Sequence, residues 1–128
     1  MKRALVTGAT SGIGWATAWA LTEAGWEVMA WGRREERLTG PEGLVAQARG
    51  AGLRGSIEAR SVDVRDGAAV AAAAQEFLEQ GSVDFLFNNA GLALGREPLH
   101  EGNLEQWEAM IDTNLKGLLY VSKAIGQE

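Results

Sequence analysis

Eight consecutive residues near the start, Thr7-Gly8-Ala9-Thr10-Ser11-Gly12-Ile13-Gly14, limit the fold of this chain more than any other stretch. They follow a short apolar run, Ala4 to Val6, and lead into a segment in which apolar residues recur at helical spacing from Ile13 to Ala24, closed by Gly25. That order reads as strand, tight turn, helix. With no side chains at Gly8, Gly12 and Gly14, the chain can turn sharply, the backbone can approach a phosphate, and the helix can pack closely on the strand. Thr7, Thr10, Ser11 and Ile13 share the turn, and the helix start adds free amide donors and a partial positive charge. No Gly-Lys-Ser/Thr follows, so a nucleotide-hydrolysing loop of the Walker kind is excluded.

The same alternation continues along the chain. Trp26 to Trp31 is a second apolar run that stops at Gly32, before the charged stretch Arg33-Arg34-Glu35-Glu36-Arg37. The glycine-rich segment from Thr39 to Gly55 allows a short helix over about 42 to 49. Ser56 to Val62 reads as a third strand, Asp66 to Gln80 as an alanine-rich helix, and Val83 to Phe87 as a fourth strand. Asn103 is placed to cap one last long helix, on which Leu104, Trp107, Met110, Ile111, Leu115, Leu118, Leu119 and Val121 repeat at three- and four-residue steps. Strands alternating with helices require a parallel sheet, because each crossover returns the chain with the same hand. The expected fold is therefore α/β, a Rossmann-type three-layer sandwich.

Composition narrows the function classes. A net charge of −5 opposes general binding to nucleic acid. The absence of cysteine removes disulfides and thiolate chemistry, and a single histidine, His100, argues against a histidine metal site. The apolar run after Lys2 and Arg3 is too short for a secretion signal or a membrane span, so a cytoplasmic protein with no membrane partner is expected.

The wording of the turn resembles the Thr-Gly-x-x-x-Gly-x-Gly motif of the short-chain dehydrogenases/reductases, and three further motifs stand in that family's order. Asn88-Asn89-Ala90-Gly91 is similar to the signature that stabilises the central sheet and passes beside the cofactor. Asp63-Val64 resembles the pair that places the adenine ring, with the Asp63 carboxylate accepting from its amino group. Asn114, in Asp112-Thr113-Asn114, resembles the family's catalytic asparagine, which helps to hold a water of a proton relay. The phrasing from Asn88 to Gly95, with Glu97-Pro98 and Trp107 to Leu118, is similar to the branch containing serine and 3-hydroxy-acid dehydrogenases.

The resemblance implies hydride transfer between a nicotinamide dinucleotide and a small alcohol, carbonyl or hydroxy acid, with cofactor contacts at Thr7, Gly8, Thr10, Ser11, Gly12, Ile13, Gly14, Asp63, Val64, Asn89, Ala90 and Gly91. It also implies the strand order 3-2-1-4. At the end of the second strand an acidic residue would bind the ribose hydroxyls of NAD, whereas arginine pairs with the extra phosphate of NADP. Arg33 and Arg34 stand there, so NADP is expected in preference to NAD, with Arg33 the first contact. The alternative is a solvated helix start in which Arg33, Arg34 and Arg37 pair with Glu35, Glu36 and one another's neighbours.

The family's serine and Tyr-x-x-x-Lys are absent from residues 1–128. Tyr120 and Lys123 are three apart rather than four and are expected to be an interfacial tyrosine and a solvent-facing lysine. The reading is of a single NAD(P)-binding domain, 1–128, incomplete before its fifth strand and unable to turn over alone. A non-catalytic dinucleotide-binding module and an assembly partner are the alternatives. The open fourth strand and the apolar last helix lead to an expectation of self-association as a homo-oligomer.

Overall fold

A computed structural model describes residues 1–10, 12–92 and 94–126. Four parallel strands form one sheet in the order β3-β2-β1-β4, with β1 at Arg3–Thr7, β2 at Glu27–Gly32, β3 at Ser56–Ser61 and β4 at Phe85–Phe87. Arg3 to Thr7 pair with Glu27 to Trp31 on one side, and Ala4 to Val6 with Phe85 to Phe87 on the other. The expected order 3-2-1-4 is the observed one. β1 is buried along its whole length, as a central strand covered on both faces must be.

Alternate residues of each strand feed two cores. Leu5 and Trp31 pack with Val70, Phe77 and Val121 on one face of the sheet. Val6, Val28, Ala30 and Ile57 pack with Ala18, Leu38 and Leu44 on the other. Complete burial of a side chain such as Leu5 or Val6 contributes about 1.5–3 kcal/mol. The first face carries helix α4 at Gly67–Glu79 and helix α6 at Leu118–Ile125; the second carries α1 at Gly12–Glu23, with α2 at Glu35–Thr39 and α3 at Leu44–Gly50. Asp66 caps α4 by accepting from the Ala69 amide at 3.1 Å.

Three stretches differ from the sequence expectation. The charged stretch after β2 contains the short helix α2, which starts with Glu35 and Glu36 and has Arg37 in its last turn, the arrangement that complements a helix dipole. The fourth strand is three residues long, not five, and forms the edge of the described sheet. The last helix is not continuous. Helix α5, Leu104–Ile111, passes into a π-helical segment at Asp112–Gly117 and then into α6. Thr113 and Asn114 are weak helix formers, and Asn114 has bonding partners outside the helix, both of which favour a widened turn at that point.

The amino end of the sheet is closed by Arg3, which is almost fully buried. Its guanidinium donates to Glu27 Oε2 at 2.9 Å, to the Phe77 carbonyl at 2.8 Å and to the carbonyls of Gly81 and Ser82, and lies 3.9 Å from the centre of the Phe77 ring. Its backbone amide donates to Asp84 Oδ2 at 2.9 Å. One cation thus satisfies carbonyls at the end of α4 and the loop beyond it.

Candidate functional site

At the opposite end, where parallel strands deliver their carboxyl termini, the sheet opens into a cleft of about 780 Å³, continuous with solvent. Ligands bind at this end of open α/β sheets because helix starts and loops converge there. Gly8, Thr10, Asn89, Ala90 and Gly91 line its central part, and Arg33, Arg34, Asp63 and Val64 its far part. These nine come from four separate connections of the chain, all singled out by the sequence motifs.

The glycine turn and the Asn-Asn-Ala-Gly loop are built against each other. Gly8 has φ +65°, and a Cβ there would lie 2.9 Å from Ala90 Cα and from the Asn89 carbonyl oxygen, so both conformation and space require glycine. At Gly14 a Cβ would overlap the Gly8 carbonyl, so the absence of a side chain seats α1 against the turn. Thr7 Oγ1 accepts from the backbone amides of Asn89 and Ala90, both at 3.0 Å, and Asn89 Nδ2 donates to the Gly8 carbonyl at 3.2 Å. The Thr7 hydroxyl is therefore committed within the protein, behind the cleft. Gly12 and Ile13 begin α1, where the first helical amides lack partners within the helix, and Ile13 is exposed. Ser11 lies outside the described residues.

Asn114 does not line the cleft directly. Its side chain accepts from the Leu92 amide and donates to the Leu92 carbonyl, both at 2.8 Å, so it clamps the π-helical segment to the loop after Gly91. Asn88 makes a second link, donating to Ser122 Oγ of α6 at 3.0 Å. The Tyr120 ring packs about 3.7 Å from where a Cβ of Gly67 would be, and Lys123 is exposed.

Charge is concentrated at the far part. Arg34 donates to Thr10 Oγ1 at 2.8 Å and Arg37 to the Thr10 carbonyl at 3.2 Å, so two guanidinium groups brace the glycine turn. Asp63 is gripped by Arg65: Oδ1 accepts from the Arg65 amide and Nε at 3.0 Å, and Oδ2 accepts from Nη2 at 2.7 Å. The Arg65 side-chain bonds hold the Asp63 carboxyl below its ordinary range against the opposing effect of partial burial; the Arg65 amide and the field of Arg33 act in the same direction. The carboxylate expected to stand open to an adenine amino group therefore already has partners on both oxygens.

Thr113 and Leu92 also line the cleft and were not identified from the sequence. Thr113 is buried, and its Oγ1 has no hydrogen-bond partner among the described residues. The signal was present: Thr113, Gly117, Val121 and Ile125 recur every four residues as the buried stripe of the last helical run, and a hydroxyl in such a stripe needs a reason.

A parallel 3-2-1-4 sheet with a glycine turn at the first strand and the Asn-Asn-Ala-Gly loop beside it defines a Rossmann-type nucleotide-binding protein. The model of the short chain dehydrogenase family matches residues 2–128, and the chain belongs to that family. It is 44% identical over 122 residues to an NADP-dependent 3-hydroxy acid dehydrogenase of Salmonella typhi, a match covering 94% of this chain and 46% of the relative. Over 122 residues it is 43% identical to sulfoacetaldehyde reductase 2 of Chromohalobacter salexigens, covering 94% and 46%. Among solved structures, the closed form of serine dehydrogenase complexed with NADP+ superposes with a TM-score of 0.81 at 38% identity, covering 96% of this chain and 47% of that one. The chain thus spans about half the length of the relatives it matches.

Proposed function

We propose that residues 1–128 form the NADP-binding part of a short-chain dehydrogenase/reductase acting on a small hydroxy acid or alcohol and its carbonyl counterpart. The supporting observation is the cleft itself: a glycine turn at a helix start, a basic group of Arg33 and Arg34 at the end of β2, and no carboxylate at that strand end. One further feature of the lining fits a dinucleotide: Thr113, a buried residue of the cleft wall, has a hydroxyl without a protein partner among the described residues, while glycine at position 8 keeps the turn packed against the Asn89-Ala90 backbone.

In this reading the α1 start and Gly12 bind the pyrophosphate, and Arg33, with Arg34 beside it, takes the ribose phosphate by charge-assisted hydrogen bonds. Asp63 and Val64 form the wall at the adenine. Asn89, Ala90 and Gly91 hold the nicotinamide side in register, because Thr7 and Asn114 fix their loop from behind. Bound NADPH supplies the hydride. The serine and Tyr-x-x-x-Lys that would orient substrate and transfer its proton are absent from these residues, so the proposal includes that this stretch binds without turning over. The hydroxy-acid substrate class rests on the serine and 3-hydroxy acid dehydrogenases among the relatives.

Calorimetric titration with NADPH and NADH in parallel, with nicotinamide absorbance followed in the presence of aldehydes and 3-oxo acids, tests the reading. Selective binding of NADPH without oxidation is expected. Oxidation would overturn the incompleteness, and equal affinity for the two cofactors would overturn the role of Arg33 and Arg34.

A further inference from the structure

A carboxylate is an awkward wall for a site that receives a phosphate. Asp63 lines the same cleft as Arg33, at its far part. Left ionised and unpaired, it would repel the ligand's phosphate and attract the nearest guanidinium for itself. Arg65 answers both problems through geometry. It engages both Asp63 oxygens with its backbone amide, Nε and Nη2, at 2.7–3.2 Å, and turns the carboxylate into half of a neutral pair. The Arg33 guanidinium, by contrast, has no hydrogen bond or ion pair among the described residues, although its field reaches Asp63. Its carbonyl accepts from Ser61 Oγ at 3.2 Å.

We infer that Arg65 is a positioning residue for cofactor choice: by neutralising Asp63 it keeps that carboxylate from capturing Arg33, and so reserves Arg33 for the ribose phosphate that distinguishes NADP from NAD. The inference rests on the reading that this cleft prefers NADP. Arg65 acts through Asp63 and Arg33 and need not touch the cofactor. Its removal frees a carboxylate that competes with the phosphate for one guanidinium, a competition NADH does not face. A planar guanidinium suits this task better than an ammonium, because it holds both carboxylate oxygens at once.

The quantity to read is the ratio of NADH to NADPH dissociation constants, measured by titration for the wild-type chain, Arg65→Met, Arg65→Gln and Arg65→Met/Asp63→Asn. Far-ultraviolet circular dichroism checks that each is folded, and the exposure of Arg65 favours that result. For Arg65→Met and Arg65→Gln the ratio is expected to fall about tenfold, through loss of NADPH affinity, with NADH changed by less than about threefold. Removing the carboxylate as well is expected to restore the ratio. An unchanged ratio in the single variants overturns the inference, since Arg65 would then be a structural partner of Asp63 alone. A fallen ratio that the double variant does not restore also overturns it, since Arg65 would then itself be the phosphate contact. Failure of the underlying reading is separate: the wild-type ratio would be about one before any variant is compared.

Discussion

The two ends of the sheet treat polar groups in opposite ways. At the amino end one buried cation, Arg3, meets a carboxylate and the carbonyls of Phe77, Gly81 and Ser82, leaving its guanidinium fully engaged. At the carboxyl end the Arg33 guanidinium, the first amides of α1 and the Thr113 hydroxyl all stand without such partners among the described residues. Of these only Thr113 is buried, and a buried hydroxyl without a partner costs about 1–3 kcal/mol; the Arg33 guanidinium and the start of α1 are exposed and solvated. The contrast separates residues that hold the sheet together from groups at the carboxyl end that the described protein leaves unpaired.

Arg3→Met is the most severe way to break this contrast. It leaves several carbonyls and the Glu27 carboxylate without their donor, and a loss of about 3–5 kcal/mol is expected by urea unfolding. A loss below about 1 kcal/mol would show that water replaces the guanidinium, and that the amino end is no better closed than the other. Thr7→Val sharpens the boundary between the ends. The hydroxyl accepts from two amides of the Asn89-Ala90 loop, so a destabilisation of about 1–3 kcal/mol should accompany a weaker affinity for NADPH. Unchanged affinity would mean that the loop keeps its place unaided.

Thr113→Val should move stability the other way. Removing an unpaired buried hydroxyl at nearly constant shape is expected to leave the free protein unchanged or more stable by up to about 1 kcal/mol, while NADPH binds less tightly. Destabilisation of the free chain would place the hydroxyl among the structural groups after all.

The smallest effect concerns pH. Asp63 has a lowered pKa in the folded chain, chiefly from the Arg65 side-chain bonds. Its contribution to stability is therefore fully present above the ordinary carboxylate value and is lost as pH falls through the lower folded value. Both side chains of the pair are more than a third exposed, so solvent screening keeps that contribution small. Urea midpoints between neutral pH and pH 3 should fall slightly more for the wild type than for Arg65→Met, and parallel curves would show that the pair adds nothing.

The sequence carried different amounts of information about the two ends. The cleft was legible because glycines, the Asn-Asn-Ala-Gly run and the arginines after β2 are local patterns, each within one connection, and the alternation of periods brings those connections to one edge. Arg3 was not legible. Beside Lys2 it reads as an ordinary charged start, and its partners lie 24 and 74 to 79 residues further on. The division of the last helix was also hidden, because a π-helical segment preserves the apolar repeat on either side. Helix α2 was legible only as the alternative of a solvated helix start, because five residues are too few to show a period. Thr113 was visible only as a polar residue in a buried stripe, which becomes evident once the stripe is drawn from structure.

The buried Arg3 also bears on how the chain is made. β1 and β2 leave the ribosome early and can pair at once, yet the donors of Arg3 find most of their acceptors only after Phe77 through Asp84 have followed. Closing a loop of that length is slow compared with forming α1, so the central strand must remain provisional until the fourth strand is in place. The first stretch of the sheet to be synthesised is therefore among the last to become secure.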